Sequence, residues 1–401
     1  MRRTPRLAVA VAAGRLAVVL SKLLRFGSGQ SVGGRVTLAV DPGSLRALAK
    51  GRRIVLVTGT NGKSTTTSML AASLGTRVCT NATGSNLPPG VVAAMIGDNS
   101  RLAAFEVDEL HIPRVIREVR PEVVLLLNLS RDQLDRMHEV GRVVRAWRDG
   151  LADSGAHVIA FANDPNVVAA VPAGRATWIG ASTMWDSDIG ACPSCGAPLI
   201  ITADSWICGS CDLKPPAASY VVADGVLTID GVPHPLDLAL PGRVNQTNAA
   251  FAIAAAAHFD VAPAEAISRI NAVANVAGRY AHFTVGERPA RLLLAKNPAS
   301  WVSALEIVDP AAQVVISINA RTADGVDTSW LWDVEFEKLA GREVAALGDR
   351  RADLAVRLDY AGVHVRECTD LDDAAASLPP GPLDVIGNYT AFDDLRRRHV
   401  G

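Results

Sequence analysis

The sequence is poor in aromatic residues, in cysteine and in net charge. Aromatic residues make up 5% of its 401 residues, six residues are cysteine, and the formal net charge is −1 at pH 7. A chain this close to neutral has no general electrostatic attraction to nucleic acid, so we expect no nucleic acid partner. With 49% hydrophobic and 20% charged residues, the composition is that of a globular protein of two or three domains.

The sequence also lacks a long hydrophobic run. Residues 1–25 are largely apolar, but Arg15 and Lys22 interrupt them, which is unlike a signal peptide or a membrane span. We predict a cytoplasmic protein with an amphipathic N-terminal helix, followed by a glycine- and serine-containing linker at 27–34. The basic face of this helix could rest on the inner face of an anionic membrane, or could be a solvated face of a helix that packs on the first domain. The basic residues are Arg2, Arg3, Arg6, Arg15, Lys22 and Arg25.

A glycine-containing loop at 57–65 lies between an apolar run at 54–56 and a predicted helix at 64–74. A buried strand that leads through such a loop into a helix directs backbone N–H groups and the helix dipole at one point, where an anion can bind. Gly59 and Gly62 let the backbone wrap phosphate oxygens, Lys63 neutralises their charge, and Ser64 offers a hydroxyl to Mg²⁺. The spacing is a variant of the phosphate-loop pattern, and the alternative is an ordinary strand, turn and helix with a surface lysine.

Further apolar runs at 102–105, 123–127 and 158–161 predict buried parallel strands. Because ligands of such sheets bind at the carboxyl ends of the strands, we expect polar residues that follow two of these runs to lie near the phosphate loop. Carboxylates placed there can hold the Mg²⁺ of a bound nucleotide. The residues are Glu106, Asp108 and Glu109 after the first run, and Asn128, Arg131, Asp132, Asp135 and His138 after the second.

Four of the six cysteines form two C-x₂-C pairs, Cys192 with Cys195 and Cys208 with Cys211. Two such pairs can close a tetrahedral Zn²⁺ site, and Gly196 suits the tight turn after the first pair. Four thiolates leave no open coordination position, so we predict a structural zinc. The alternatives are disulfides, which a reducing compartment disfavours, and a nucleic-acid-binding zinc ribbon, which the acidic flanks disfavour.

The motifs at 59–64, 106–109 and 128–135 resemble the ATP-binding central domain of Mur ligases, which form amide bonds through an acyl-phosphate. The resemblance implies that ATP binds the loop residues, that Lys63 and Glu106 are catalytic, and that Ser64, Glu106 and Asp108 hold magnesium. Gln133 and His138 depart from the family pattern. The implied ATP-binding residues are Gly59, Thr60, Asn61, Gly62, Lys63, Ser64 and Thr65, with Asn245 and Asn248 near adenine and Arg279 at the start of the C-terminal domain.

A four-cysteine ribbon inside that domain resembles the MurT family in particular, as do motifs at 294–298, at Asn319 with 324–333, and at 387–390. Its members are the synthetase subunits that amidate the α-carboxyl of D-glutamate in lipid II, with ammonia from the glutaminase GatD. The resemblance implies a GatD-like partner and assigns Asp327 as the third member of the partner's Cys-His-Asp set. The alternative for Asp327 is a helix N-cap. The alternatives for the function are an amino-acid ligase of the Mur or folylpolyglutamate type that needs no partner, and a non-catalytic zinc scaffold.

We therefore predict an α/β protein of two main domains. Residues 1–37 are the N-terminal helix and linker, and residues 38–280 are a Mur ligase-type ATP-binding domain that carries the zinc ribbon at 189–217. Residues 281–401 are a Rossmann-like α/β domain, with strands near 291–295, 313–318, 344–347 and 384–387.

Overall fold

The computed structural model describes residues 4–23, 30–81, 85–130, 140–181, 190–202, 205–276 and 279–400. The chain divides into two compact units: the first contains residues 1–129 and 138–274, and the second contains residues 275–401 together with the segment that starts at Ser130. Within the described ranges, every helix is too short or too polar to cross a bilayer. Each unit is an α/β fold around its own sheet, as the sequence predicts.

A nine-stranded sheet forms the centre of the first unit. Two further strands, β7 (Leu199–Ile201) and β8 (Trp206–Cys208), form a separate small sheet. The strands of the large sheet are β1 (Arg53–Thr58), β2 (Val78–Thr80), β3 (Leu102–Glu106), β4 (Val123–Leu126), β5 (His157–Phe161), β6 (Ala176–Ala181), β9 (Tyr220–Ala223), β10 (Val226–Ile229) and β11 (Val232–Pro235). The strand order is β11-β10-β9-β6-β5-β4-β1-β3-β2. From β2 to β9 the neighbouring strands are parallel, and β9, β10 and β11 are antiparallel. The predicted strands β1, β3, β4 and β5 are confirmed, and their carboxyl ends meet at one edge.

Ten helices of the first unit lie in the described ranges. Their bounds are α1 (Pro5–Leu23), α2 (Gln30–Val40), α3 (Ser44–Ala49), α4 (Lys63–Ser73), α5 (Pro88–Gly97), α6 (Ile112–Val119), α7 (Val140–Ala152), α8 (Pro165–Ala170), α9 (Arg243–Ala257) and α10 (Pro263–Asn271). Helix α4, which the sequence predicts after the glycine loop, packs against α9. One continuous apolar core joins the helices α1, α3 and α5 to the strands.

The predicted linker is wrong over its described part, because residues 30–34 lie in helix α2. A Cβ on Gly33 would lie 2.9 Å from the carbonyl oxygen of Gly14 in α1, so these two helices approach each other closely. The Thr37 hydroxyl donates to the carbonyl of Gly33 and, at 3.2 Å, to that of Ala10 across the same contact. Glycine therefore serves close helix packing here, and its usual cost in a helix is offset by that packing.

The second unit has a six-stranded sheet with the order β12-β13-β17-β14-β15-β16, in which only β12 runs antiparallel to its neighbour. The four strands that the sequence predicts in this region are confirmed as β13, β14, β15 and β17. The elements are β12 (Tyr280–Val285), β13 (Arg288–Leu294), α11 (Pro298–Glu306), β14 (Gln313–Ser317), two 3₁₀ helices (Ser329–Asp333 and Phe336–Leu339), β15 (Glu343–Leu347), α12 (Arg351–Tyr360), β16 (His364–Glu367), α13 (Leu371–Ser377), β17 (Leu383–Gly387) and α14 (Tyr389–His399).

Candidate active site and metal centre

The loop between β1 and α4 has a backbone that only glycine can supply at two positions. Gly59 has φ of 143° and Gly62 has φ of 86°. A Cβ on Gly59 would lie 2.9 Å from the backbone nitrogen of Asn128, and one on Gly62 would lie 2.6 Å from Oδ1 of Asn248. Both glycines are thus required by backbone conformation and by space, which fits a loop wrapped tightly at a helix N-terminus.

Asn128, directly after β4, fastens this loop to the neighbouring strand end. Its Oδ1 accepts from the backbone N–H of Asn61 at 2.9 Å, and its Nδ2 donates to the carbonyl of Asn61 at 3.0 Å. The backbone N–H of Thr60 donates to the carbonyl of Asn128 at 2.9 Å. The sequence places Asn128 among the polar residues of this edge, but its role as a two-way side-chain tether is visible only in the structure.

Lys63 is buried at the N-terminus of α4, so the alternative of a surface lysine is wrong. Its Nζ lies 2.5 Å from the carbonyl oxygen of Gly59 and 3.1 Å from Oε1 of Glu109. The ammonium therefore lies over the loop and is paired with one carboxylate of the predicted acidic group. A buried cation at this place can meet the negative charge of phosphate oxygens.

Ser64 and Glu106 form a buried pair next to Lys63. The Ser64 hydroxyl donates to Oε2 of Glu106 at 2.5 Å, and the side chain of Asn81 bonds to both the N–H and the carbonyl of Glu106. A hydroxyl and a carboxylate together are oxygen ligands of the kind that Mg²⁺ prefers. These two residues and Asn81 also line a cavity of about 210 Å³ between α4 and the ends of β2 and β3.

Asp108 forms local contacts in this structure. Its Oδ1 accepts from the backbone N–H of Leu110 at 3.0 Å, and its carbonyl accepts from the N–H groups of His111 and Ile112. The structure thus brings Ser64, Glu106 and Lys63 together, with Glu109 bound to Lys63, whereas the contacts of Asp108 stabilise the turn before α6. As a magnesium ligand, Asp108 stays a prediction.

Two asparagines at the start of α9 lie beside the loop. The Thr66 hydroxyl of α4 donates to Oδ1 of Asn248 at 3.2 Å, and Asn248 Nδ2 donates to Oδ1 of Asn245 at 3.3 Å. Asn245 in turn donates to the carbonyl of Pro241. The bond between Thr66 and Asn248 connects α9 to helix α4, directly after the phosphate loop, through side chains 182 residues apart in sequence.

Two other predicted site residues, Thr65 and Arg279, form none of the contacts described above. Thr65 is half-buried on α4, and Arg279 lies in the second unit, one residue before β12. A further buried carboxylate, which is not among the site residues predicted from the sequence, is that of Asp164. It caps α8 and accepts from the backbone N–H of Leu129 at 2.6 Å, and burial raises its pKa to about 6. The predicted polar residues that lie outside the described residues are Arg131, Asp132, Gln133, Asp135 and His138.

The four cysteines of the two pairs come together around one point. Their sulfurs all lie within 4.8 Å of one another, with 3.7 Å between Cys192 and Cys211 and 3.4 Å between Cys195 and Cys208. Sulfurs bound to one tetrahedral Zn²⁺ at about 2.3 Å stand about 3.8 Å apart, so the set fits that ion. None of the four forms a disulfide. Gly196, with φ of 78°, forms the turn after the first pair.

The second pair of cysteines is supported by the small sheet of β7 and β8. Cys208 is the last residue of β8, and its Sγ accepts from the backbone N–H of Ser210 at 3.4 Å. This N–H lowers the pKa of the Cys208 thiol, whereas contacts with neighbouring sulfurs raise the pKa values of Cys195 and Cys211. Four thiols this close do not all ionise easily by themselves, and a bound cation would favour all four thiolates.

Asp327 is an exposed residue of the second unit. Its Oδ1 accepts from the backbone N–H of Ser329 at 2.8 Å, at the start of the first 3₁₀ helix, and this bond lowers the pKa of the carboxyl. The same loop is held by buried Asp324, whose carboxylate accepts from the backbone N–H groups of Thr390 and Arg321. The N-cap of this helix is Thr328, so Asp327 is not the N-cap of the alternative interpretation. Its contact with Ser329 fixes the turn before the helix, and its side chain is exposed.

Comparison with known proteins agrees with these features. Residues 57–179 match the Mur ligase middle domain, and residues 294–392 match the MurT ligase C-terminal domain. The chain is 28% identical to the lipid II isoglutaminyl synthase (glutamine-hydrolyzing) subunit MurT of Streptococcus pneumoniae, over 93% of both chains. It is 29% identical to the subunit of the same name from Staphylococcus aureus strain COL, over 94% of this chain and 95% of that one.

The fold has relatives among solved structures as well. A pseudomurein peptide ligase type C from Methanothermus fervidus superposes with a TM-score of 0.69 at 18% identity, over 88% of this chain and 79% of that one. The fold, the phosphate loop and the two domain matches together define the class: an ATP-dependent ligase with a Mur ligase middle domain and a MurT ligase C-terminal domain. Within that class, the resemblance to MurT is confirmed over nearly the whole chain.

Proposed function

We propose that the chain is the synthetase subunit that converts the α-carboxyl of D-glutamate in the lipid II stem peptide to the amide. The observation that carries this assignment is the match to MurT subunits over at least 93% of the chain. A carboxylate is a poor electrophile, so ATP first converts it to an acyl-phosphate, which ammonia then attacks.

In this proposal the first unit binds the nucleotide. The loop from Gly59 to Ser64 holds the phosphates, with the ammonium of Lys63 exchanging Glu109 for phosphate oxygens. Ser64 and Glu106 would hold Mg²⁺, which neutralises charge on the transferred phosphoryl group when it is bound. The cavity beside this pair, which Thr80 and Asn81 also line, offers space for the substrate carboxylate. The four cysteines would hold a structural Zn²⁺.

Ammonia would come from a separate glutaminase subunit. Glutamine hydrolysis needs an activated cysteine, and Cys79 and Cys368 are the only cysteines outside the metal cluster. Both are buried, and burial raises the pKa of the Cys79 thiol to about 11. Both thiols are thus shielded from solvent, and the raised pKa of Cys79 also disfavours its thiolate, unlike an activated nucleophile. We assign Asp327 as the residue that orients the histidine of the partner's active site, since its carboxylate is exposed beside a fixed loop.

Because the proposed substrate carries a lipid, we place the reaction at the cytoplasmic face of the membrane. The test uses the isolated chain with ATP, Mg²⁺ and a lipid II preparation, with either ammonium or a panel of free amino acids as nucleophile. We expect phosphate release and an amidated product with ammonium alone. Turnover that requires a free amino acid, with no product from ammonium, would instead identify an amino-acid ligase that needs no partner.

A further inference from the structure

Helix α1 is apolar on two opposite faces. Leu7, Ala10 and Val11 are buried in the first unit. The other face carries five large apolar side chains that are between 47% and 74% exposed. We refer to them as the apolar strip: Val9, Leu16, Val19, Leu20 and Leu23.

The spacing of the strip places its members on one side of the helix. Val19 and Leu20 lie three and four residues after Leu16, Leu23 lies three residues after Leu20, and Val9 lies two turns before Leu16. From Val9 to Leu23 the strip is about 21 Å long at 1.5 Å per residue. A helix that is apolar all round is normally covered on all sides, so this face indicates a further apolar partner.

The strip cannot turn inward, because the opposite face of α1 is fixed to its neighbours. Gly14 is in close contact with Gly33 of α2, and the Thr37 hydroxyl donates to the carbonyl of Ala10. The guanidinium of Arg15 donates to the carbonyl of Ile96 at the end of α5. Because this face of α1 is packed against its neighbours, the apolar strip on the other face stays exposed.

The N-terminal segment that contains the strip is mainly basic. Residues 1–40 contain seven basic residues and no acidic residue, in a chain whose net charge is −1. One carboxylate, that of Asp41, lies 4.0 Å from Nε of Arg6. At about 100° per residue, Arg6 and Arg15 lie on opposite sides of the strip, and both are exposed. An apolar face flanked by arginines matches a surface with an apolar interior and anionic groups at its rim.

We propose that α1 is a membrane-docking helix, which lies parallel to an anionic phospholipid surface with the apolar strip among the acyl chains and Arg6 and Arg15 at the headgroups. A second copy of the chain fits less well, because the basic residues of two copies would repel each other. Membrane docking does not depend on the proposed reaction, although it would bring the enzyme to a lipid-linked substrate.

The test is flotation of the full chain with vesicles of phosphatidylcholine, with and without phosphatidylglycerol. We expect binding to the anionic vesicles that weakens at high salt, and an apparent partition coefficient at least about tenfold lower for Leu16→Glu/Leu20→Glu. The matched control, Val232→Glu/Val356→Glu, adds the same charge at two exposed valines elsewhere and should bind like wild type. Leu20→Ser/Leu23→Ser is a milder pair in case the first variant folds poorly, as judged by its melting temperature.

Equal binding of wild type and both strip variants to anionic vesicles would overturn the proposal, as would failure of wild type to bind. Light scattering tests the alternative that a second copy of the chain covers the strip. A wild-type dimer that becomes monomeric in a strip variant, together with no vesicle binding, would show that the strip is an interface between two copies. ATP turnover with a water-soluble substrate analogue should be equal in all these variants, which separates a failure of docking from a failure of the proposed reaction.

Discussion

Replacement of Asn128 by alanine should weaken ATP binding without unfolding the chain. The substitution removes the two side-chain hydrogen bonds to Asn61, at 2.9 and 3.0 Å, that hold the phosphate loop in place. The backbone bond from Thr60 to the carbonyl of residue 128 is retained. At about 0.5–1.5 kcal/mol of net free energy for each bond, the loop loses about 1–3 kcal/mol of ordering. If ATP binding must restore that order, its dissociation constant should rise about 5- to 150-fold.

The assay is a titration of the variant with a fluorescent ATP analogue or by calorimetry, together with a melting curve. Asn128→Asp should bind more weakly still, because a carboxylate would face the carbonyl of Asn61 and the phosphates. Asn166→Ala is the matched control, since Asn166 donates one bond to the carbonyl of Leu129 nearby and has no bond to the phosphate loop. A dissociation constant for folded Asn128→Ala within twofold of wild type would refute the tethering role.

Three further substitutions test the other parts of the site. Lys63→Ala should abolish ATP hydrolysis. Glu109→Gln breaks the same ion pair but keeps the ammonium, so this variant should still hydrolyse ATP. Wild-type turnover in Lys63→Ala would exclude the phosphate-loop assignment. The chain should bind one zinc ion. Cys192→Ser should lower the melting temperature clearly and change the catalytic rate per folded molecule little, because a closed four-cysteine site stabilises the fold. Metal-free protein of unchanged stability would contradict this expectation. Asp327→Asn keeps the acceptor for the N–H of Ser329 but removes the negative charge that would stabilise the partner's histidine. Glutamine-dependent amidation should therefore fall sharply while ammonia-dependent amidation survives. Equal effects on both activities would leave Asp327 a structural residue.

Local sequence signals were sufficient for the parts of the fold that one short segment determines. The apolar run before Gly59 predicts β1, and the spacing of the cysteines brings four sulfurs within 4.8 Å. The N-terminal region was harder, because Gly33 has the composition signal of a linker, and its place in a helix depends on contact with Gly14 far away in sequence. The short antiparallel strands β9 to β11 were not predicted, since they depend on pairing at the edge of the sheet.

The candidate site also combines residues that a local pattern predicts with contacts that depend on the tertiary fold. Glycine, lysine and serine of the loop are recognisable because phosphate binding needs those residue types in that order. Which carboxylate meets which partner is decided by tertiary geometry: Glu109 reaches Lys63 at 3.1 Å and Glu106 reaches Ser64, while Asp108 bonds to its own turn. The tether by Asn128 joins strand β4 to a loop 67 residues earlier, which no local pattern predicts.

The most direct test of the central claim is the origin of the nitrogen in the product. The chain is incubated with its glutaminase partner, ATP, Mg²⁺, lipid II and glutamine labelled with ¹⁵N in the side-chain amide, and the stem peptide is analysed by mass spectrometry. We expect ¹⁵N in an amide at the α-carboxyl of D-glutamate, and no incorporation when the partner is omitted. Unlabelled or unmodified stem peptide from the complete mixture, under conditions where ATP is hydrolysed, would contradict the assignment of this chain as a glutamine-dependent amidating synthetase.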